Sequence, residues 1–108
     1  MSNPTPGVRS GDVEIPAIGL GTYQLENGLA QGVTEKALEL GYRHVDTAQI
    51  YENEREVGEG IRNSHIRRDQ LFVATKVWTT HFAPNDLIRS AKESLVKLRL
   101  SEVDLLLL

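Results

Sequence analysis

At 108 residues, with 40% hydrophobic and 25% charged side chains, the chain has the composition of an ordinary globular protein, which argues against intrinsic disorder. Twelve basic against fifteen acidic residues give a formal net charge of -3. No long block of either sign offers a phosphate-tracking surface, so nucleic acid is not an expected partner.

The absence of cysteine removes disulfides and thiolate chemistry and agrees with a reducing compartment. Met1 to Gly7 carries neither the basic start nor the apolar core of a secretion signal, and no apolar run is long enough to span a bilayer. The expectation is a cytoplasmic chain without membrane contact. A metal site would have to use His and carboxylates, and His44, His65 and His81 do not fall at a zinc-ligand spacing, so no metal is expected.

In chain order, Val8-Arg9 and Val13-Glu14-Ile15 flank the polar loop Ser10-Gly11-Asp12, which predicts a small hairpin closed by Pro16. Ala17 to Leu20 reads as a short apolar strand with Gly21-Thr22-Tyr23 as its exit loop. Leu29, Val33, Ala37 and Leu40 recur at helical spacing and predict a first helix with that inner face, stopped by Gly41.

His44 to Asp46 reads as the next strand. Asn53 to Ser64 reads as a second helix, with Asn53 as N-cap, Glu54 and Glu56 in the first turn, Val57 and Ile61 inward, and Gly58 and Gly60 as weakening residues. Leu71 to Thr75 is a strand leading directly to Lys76. Pro84 suits the first turn of a third helix with Leu87, Ala91, Leu95 and Leu98 inward. Val103 to Leu108 begins a last strand expected to be buried.

Strict alternation of short apolar strands and helices predicts parallel pairing with both faces of the strands covered. Gly21, Asp46 and Lys76 each follow an apolar strand and lie 25 and 30 residues apart, one strand-helix unit each time. In a parallel barrel all such exits share one rim, the face on which barrel enzymes carry their chemistry, so Asp46, Tyr51 and Lys76 are expected to converge.

A phenol is a poor acid near neutrality unless a neighbour perturbs it. An ammonium at Lys76 would stabilise a Tyr51 phenolate and lower its pKa, and Asp46 would hold that ammonium charged and oriented. Such a donor fits reactions that build negative charge on a substrate oxygen, above all carbonyl reduction by hydride.

Gly21-Thr22-Tyr23, the stretch Gly41 to Gly58, Ala74-Thr75-Lys76-Val77-Trp78 and the helix Ala91 to Leu98 running into Asp104 to Leu108 resemble the aldo-keto reductases, and most of all their bacterial small-aldehyde and diketogluconate branch. The resemblance implies a parallel (β/α)8 TIM barrel, of which residues 1–108 would be the N-terminal part of a single domain: a hairpin, three β/α units and a fourth strand.

It further implies reduction of a small carbonyl substrate with NADPH, or less often NADH, and without a metal. Tyr51 would be the proton donor, Lys76 its pKa-lowering partner and Asp46 the partner of Lys76. Gly21, Thr22 and Asp46 would lie against the nicotinamide ribose, and Tyr23 and Trp78 would wall the substrate pocket. The family's fourth catalytic group, a histidine, is expected just after the leucine run, where this sequence stops. The residues are therefore expected to be a piece of a longer, monomeric enzyme and to be inactive alone.

Blander readings stand beside these. In isolation Tyr51 would be a packed tyrosine, Lys76 a solvated lysine, Asp46 a turn acid, and Tyr23 and Trp78 core aromatics. His81, ahead of Pro84, would border the substrate mouth or lie exposed. Gly19-Leu20-Gly21 hints at a dinucleotide fingerprint, but Gln24 takes the place of its third glycine and no helix opens there. Two readings from other classes are a noncatalytic cofactor-binding or regulatory module of the same fold, and a structural fragment that pairs with a complementary half.

Overall fold

The computed structural model describes residues 7–23, 25, 28–77 and 84–107. It opens with an antiparallel hairpin, β1 (Gly7–Ser10) and β2 (Val13–Pro16). Gly11 turns it at φ +61, and the loop is Gly11-Asp12, one residue shorter than expected because Ser10 pairs with Val13.

A four-stranded parallel sheet follows in the order β3 (Gly19–Gly21), β4 (His44–Asp46), β5 (Phe72–Lys76), β6 (Leu105–Leu107). The helices are α1 (Gly28–Glu39), α2 (Glu54–Asn63) and α3 (Pro84–Leu98). Short 3-10 turns span Gln49–Tyr51 and Arg68–Gln70. Strand order thus equals chain order, as consecutive strand-helix units require.

The core lies between the middle strands and the helices: Val45 and Val73 are fully buried among Ala30, Leu38, Val57, Ile61 and Leu98. α2 has glycines where it meets its neighbours. A Cβ at Gly60 would lie 2.7 Å from Thr34 Cβ of α1, and one at Gly58 would collide with the Leu98 carbonyl at the end of α3. The two glycines that weaken the helix intrinsically are what let it sit close to both other helices.

Two helices end in Schellman geometry. In α1 the Tyr42 N–H bonds the Ala37 carbonyl and the Gly41 N–H the Leu38 carbonyl, with Gly41 at φ 112. In α3 the Leu100 N–H bonds Leu95 and the Arg99 N–H bonds Val96, with Arg99 itself left-handed at φ 57.

Four expectations about burial are corrected. The inward residues of α1 are Ala30, Thr34, Ala37 and Leu38, whereas Leu29 and Leu40 are exposed and Val33 is half-buried. Packing against Gly60 selects a small-residue stripe rather than the leucine stripe. In α3, Ser90 and Ser94 are buried with Leu98, while Leu87, Ala91 and Leu95 are only half-covered, because that helix faces polar side chains from the Gln49–Glu54 region.

The leucine strand β6 is an edge strand with Leu105, Leu106 and Leu107 each 38% exposed, because β5 alone pairs with it. Burial on both faces holds for Phe72 to Thr75 of β5 and not for β3 or β4. Asp104 immediately precedes β6: its carboxylate accepts the Val73 N–H at 2.7 Å and a hydrogen bond from Arg68 at 2.8 Å.

Candidate active site

Strand alternation decides which side chains meet. Val45 of β4 and Val73 and Thr75 of β5 face the helices. Asp46, Ala74 and Lys76 therefore face the opposite side of the sheet. Asp46 is in register with Ala74, two positions before Lys76, so the lysine side chain has to reach along the shared face to meet the carboxylate.

It does so. Lys76 Nζ donates to Asp46 Oδ1 at 2.9 Å and Oδ2 at 3.1 Å, and a longer 3.5 Å contact runs from the same nitrogen to Tyr51 Oη. The ammonium also lies 5.3 Å from the Tyr51 ring centroid, within cation-π reach.

Burial of Lys76 works against its charge, but the hydrogen bond and charge of Asp46, with those of Tyr51 acting in the same upward direction, outweigh that effect. The net result holds the ammonium above the usual lysine range, so it stays protonated at neutral pH. Asp46 and Lys76 remain about one-third open, with side-chain exposures of 37% and 34%. The pair is therefore reachable from solvent.

The backbone delivers Tyr51 through the 3-10 turn, whose Tyr51 N–H bonds the Ala48 carbonyl. Glu52 then reverses the chain in the left-handed region, φ 57 and ψ 29. Tyr23 stands beside the phenol, ring centroids 5.3 Å apart and planes inclined by 55°, and is 64% exposed.

Gly21 ends β3 in register with Asp46, and a Cβ there would meet nothing within 4 Å. Protein packing does not demand a glycine at this position, and open space lies next to it. Thr22 behaves differently. It is fully buried, and both its N–H and its hydroxyl bond the Asp46 carbonyl, at 3.1 and 3.2 Å. Gly21 and Asp46 are thus the accessible members of the expected cofactor set, and Thr22 fixes the backbone behind them. Trp78 and His81 lie outside the described residues.

His44 packs edge-on against Phe72 with its Nδ1 3.4 Å from the Pro16 carbonyl, and His65 sits exposed in a left-handed turn. Among the described residues no three His, Asp or Glu side chains gather where they could hold a metal ion. None of the described helices is long and apolar enough to cross a membrane.

Two residues around Tyr51 carry more than the sequence suggested. Asn53 occupies the N-cap position of α2, yet its side chain makes no capping bond. Its amide nitrogen instead donates to the carbonyls of Thr22 at 2.8 Å and Leu25 at 2.9 Å, and its oxygen accepts from Thr47 Oγ1 at 3.2 Å. Glu54 is in the first turn of α2 as expected, yet it is only 2% exposed and accepts from Thr75 Oγ1 at 2.6 Å and Ser94 Oγ at 3.1 Å. The signal of either role in the sequence is their position two and three residues after the tyrosine.

The profile of the Aldo/keto reductase family matches residues 17–108. The chain belongs to that family. Methylglyoxal reductase DkgB of Salmonella typhi is 50% identical over 94 residues, which is 87% of this chain and 35% of that protein. Methylglyoxal reductase DkgA of Escherichia coli (strain K12) is 40% identical over 110 residues, 100% of this chain and 38% of its own length.

A crystal structure of an aldo/keto reductase from Brucella melitensis superposes with a TM-score of 0.90 at 39% identity, over 94% of this chain and 40% of that one. The chain therefore spans little more than a third of the length of the curated relatives it matches. The expected family, its bacterial reductase branch and its parallel α/β-barrel fold all agree with these relatives. The four-stranded sheet described here is an unclosed part of that barrel.

Proposed function

We propose that the protein to which this site belongs is an oxidoreductase that reduces a small aldehyde or ketone to an alcohol with NADPH, NADH serving less often. Residues 1–108 would be the N-terminal part of its single barrel domain. The observation that carries this reading is the Tyr51 hydroxyl 3.5 Å from an ammonium that Asp46 clamps with two hydrogen bonds.

The open space beside Gly21, on the rim that also carries Asp46 and Lys76, is where the residues fit a nicotinamide ribose. When bound, the nicotinamide supplies hydride to the carbonyl carbon. Tyr51 gives its hydroxyl proton to the oxygen that becomes the alcohol. Lys76 stabilises the negative charge left on the phenol oxygen, and Asp46 keeps Lys76 charged and aimed. Tyr23, inclined beside the phenol and largely exposed, forms a substrate wall, and the family resemblance makes Trp78 the candidate for a second.

The test is a pair of measurements on the full-length protein. Fluorescence titration with NADPH and aldehyde-dependent NADPH oxidation are both positive for the enzyme. A cofactor-binding module gives only the first, and a structural fragment gives neither.

A further inference from the structure

Asn53 and Glu54 are neighbours in sequence, both 2% exposed, and their side chains lead to opposite neighbours of β4 in the sheet. Asn53 spends both amide protons on the carbonyls of Thr22 and Leu25, in the segment leaving β3, and its oxygen takes the Thr47 hydroxyl of the β4 exit. Every polar atom of that side chain is committed. Glu54 takes the hydroxyl of Thr75, the β5 residue directly before Lys76, and the hydroxyl of Ser94 on α3.

Thr75 is on the helix side of β5 and Lys76 on the site side, so the Glu54–Thr75 bond fixes from behind the strand position that sets the height of Lys76. Tyr51 is three residues before Glu54 and two before Asn53, across the tight reversal at Glu52. The turn that carries the phenol is thereby fastened on one side to the segment of Tyr23 and on the other to the strand of Lys76. Neither fastening residue reaches the site itself.

We propose that Asn53 and Glu54 are a two-sided pair of positioning residues: Asn53 sets Tyr51 against the Thr22–Tyr23 segment, and Glu54, through Thr75, sets Tyr51 against Lys76. The inference rests on the reductase reading for its kinetic consequences and on the hydrogen bonds alone for its geometry. It assigns separate losses to the two sides. Releasing the Glu54 side loosens the proton donor and lowers kcat. Releasing the Asn53 side displaces the segment beside the open space at Gly21 and weakens binding.

In the full-length protein, Thr75→Val removes the hydroxyl that Glu54 accepts from and nearly keeps the shape, whereas Thr75→Ser keeps the hydroxyl. The expected result for Thr75→Val is a kcat lowered by roughly tenfold or more, a displaced pH profile of kcat, and an NADPH Kd close to wild type. Thr75→Ser is expected to restore kcat and profile. Asn53→Asp turns two donated protons into a carboxylate facing two carbonyls, and is expected to raise the NADPH Kd and the substrate KM by roughly tenfold.

Should Asn53→Asp not fold, Thr47→Val, which removes only the hydroxyl that bonds Asn53, is expected to shift the same two constants in the same direction. Wild-type kcat and pH profile in Thr75→Val overturn the Glu54 side. Unchanged Kd and KM in Asn53→Asp, or in Thr47→Val where that variant replaces it, overturn the Asn53 side. If the wild-type protein neither binds NADPH nor oxidises it, the reductase reading has failed and the positioning is read without it. The Lys76 Cε carbon is then titrated by NMR, where a lowered midpoint in Thr75→Val and a wild-type midpoint in Thr75→Ser support the proposal. One common midpoint for all three proteins overturns it.

Discussion

Lys76 holds Asp46 at 2.9 Å and Tyr51 at 3.5 Å from the same nitrogen, so one ammonium is shared unequally between a carboxylate and a phenol. The shorter, doubly bonded side fixes where the charge sits. The longer side leaves the phenol oxygen free to turn toward the carbonyl oxygen of the proposed reaction. A proton donor needs that combination, a partner close enough to stabilise the anion it becomes and not so close as to consume its hydrogen bond.

Tyr51→Phe removes the hydroxyl and leaves the ring contact with Tyr23. In the full-length protein, kcat for aldehyde reduction is expected to fall about 10²- to 10⁴-fold, the usual worth of a positioned general acid, while the NADPH Kd stays unchanged. Steady-state kinetics beside a fluorescence titration measure both. Wild-type turnover in this variant would refute the assignment of Tyr51.

The Lys76–Asp46 pair makes stability depend on pH in a definite direction. The folded state holds Lys76 above its ordinary value, so its contribution is complete below about pH 10.4 and is lost as pH rises through the higher folded value. Asp46→Asn removes the carboxylate that causes this. The stability gap between wild type and variant is expected to stay level up to that pH and to narrow above it. Urea midpoints between pH 7 and 11 give the answer, and a gap that stays level throughout would mean the pair is not responsible.

The α1–α2 contact yields two substitutions of opposite sign. Gly60→Ala puts a methyl against Thr34 and the Gln31 carbonyl, and is expected to cost about 1–3 kcal/mol as overpacking. Thr34 is fully buried and its hydroxyl has no hydrogen-bond partner among the described residues, so Thr34→Val is expected to add about 1 kcal/mol. Denaturant midpoints at constant m-value separate these outcomes.

Arg99 terminates α3 in a backbone conformation that suits glycine, at φ 57. Arg99→Gly relieves the left-handed strain and gives back part of that gain as unfolded-chain entropy. A net rise of about 0.5 kcal/mol is expected from thermal or urea unfolding. A fall in stability would show that the arginine side chain contributes more than its backbone costs.

The order of elements and the meeting of Asp46, Tyr51 and Lys76 were legible because both follow from local signals. Apolar runs, glycine stops and the even spacing of strand exits all act within one strand-helix unit. The helix faces were not legible in the same way. A spacing of three and four fixes the period of a stripe but not its phase, and in α1 the phase was chosen by Gly60, more than twenty residues away.

The partners of polar side chains are not legible for a related reason. Asn53 and Glu54 have side chains that suit a cap and a first turn, and nothing local shows that their partners come from β3, β5 and α3 instead. Ser90 and Ser94 were passed over because buried serines look like surface serines until their acceptors are known. The Ser90 hydroxyl donates to Gln49 Oε1 at 3.0 Å and the Ser94 hydroxyl to Glu54 Oε1 at 3.1 Å.

The contrast between an exposed Tyr23 and a sunken Asn53 and Glu54 divides the neighbourhood of the phenol into a changeable lip and a locked base. Under the proposed reductase reading, variation at Tyr23 widens the range of molecules admitted at little expense to the aim of Tyr51. Drift at the base would spoil the aim first, whatever the lip admits. Enzymes descended from a common ancestor with this layout would be expected to diverge in appetite long before they diverge in chemistry.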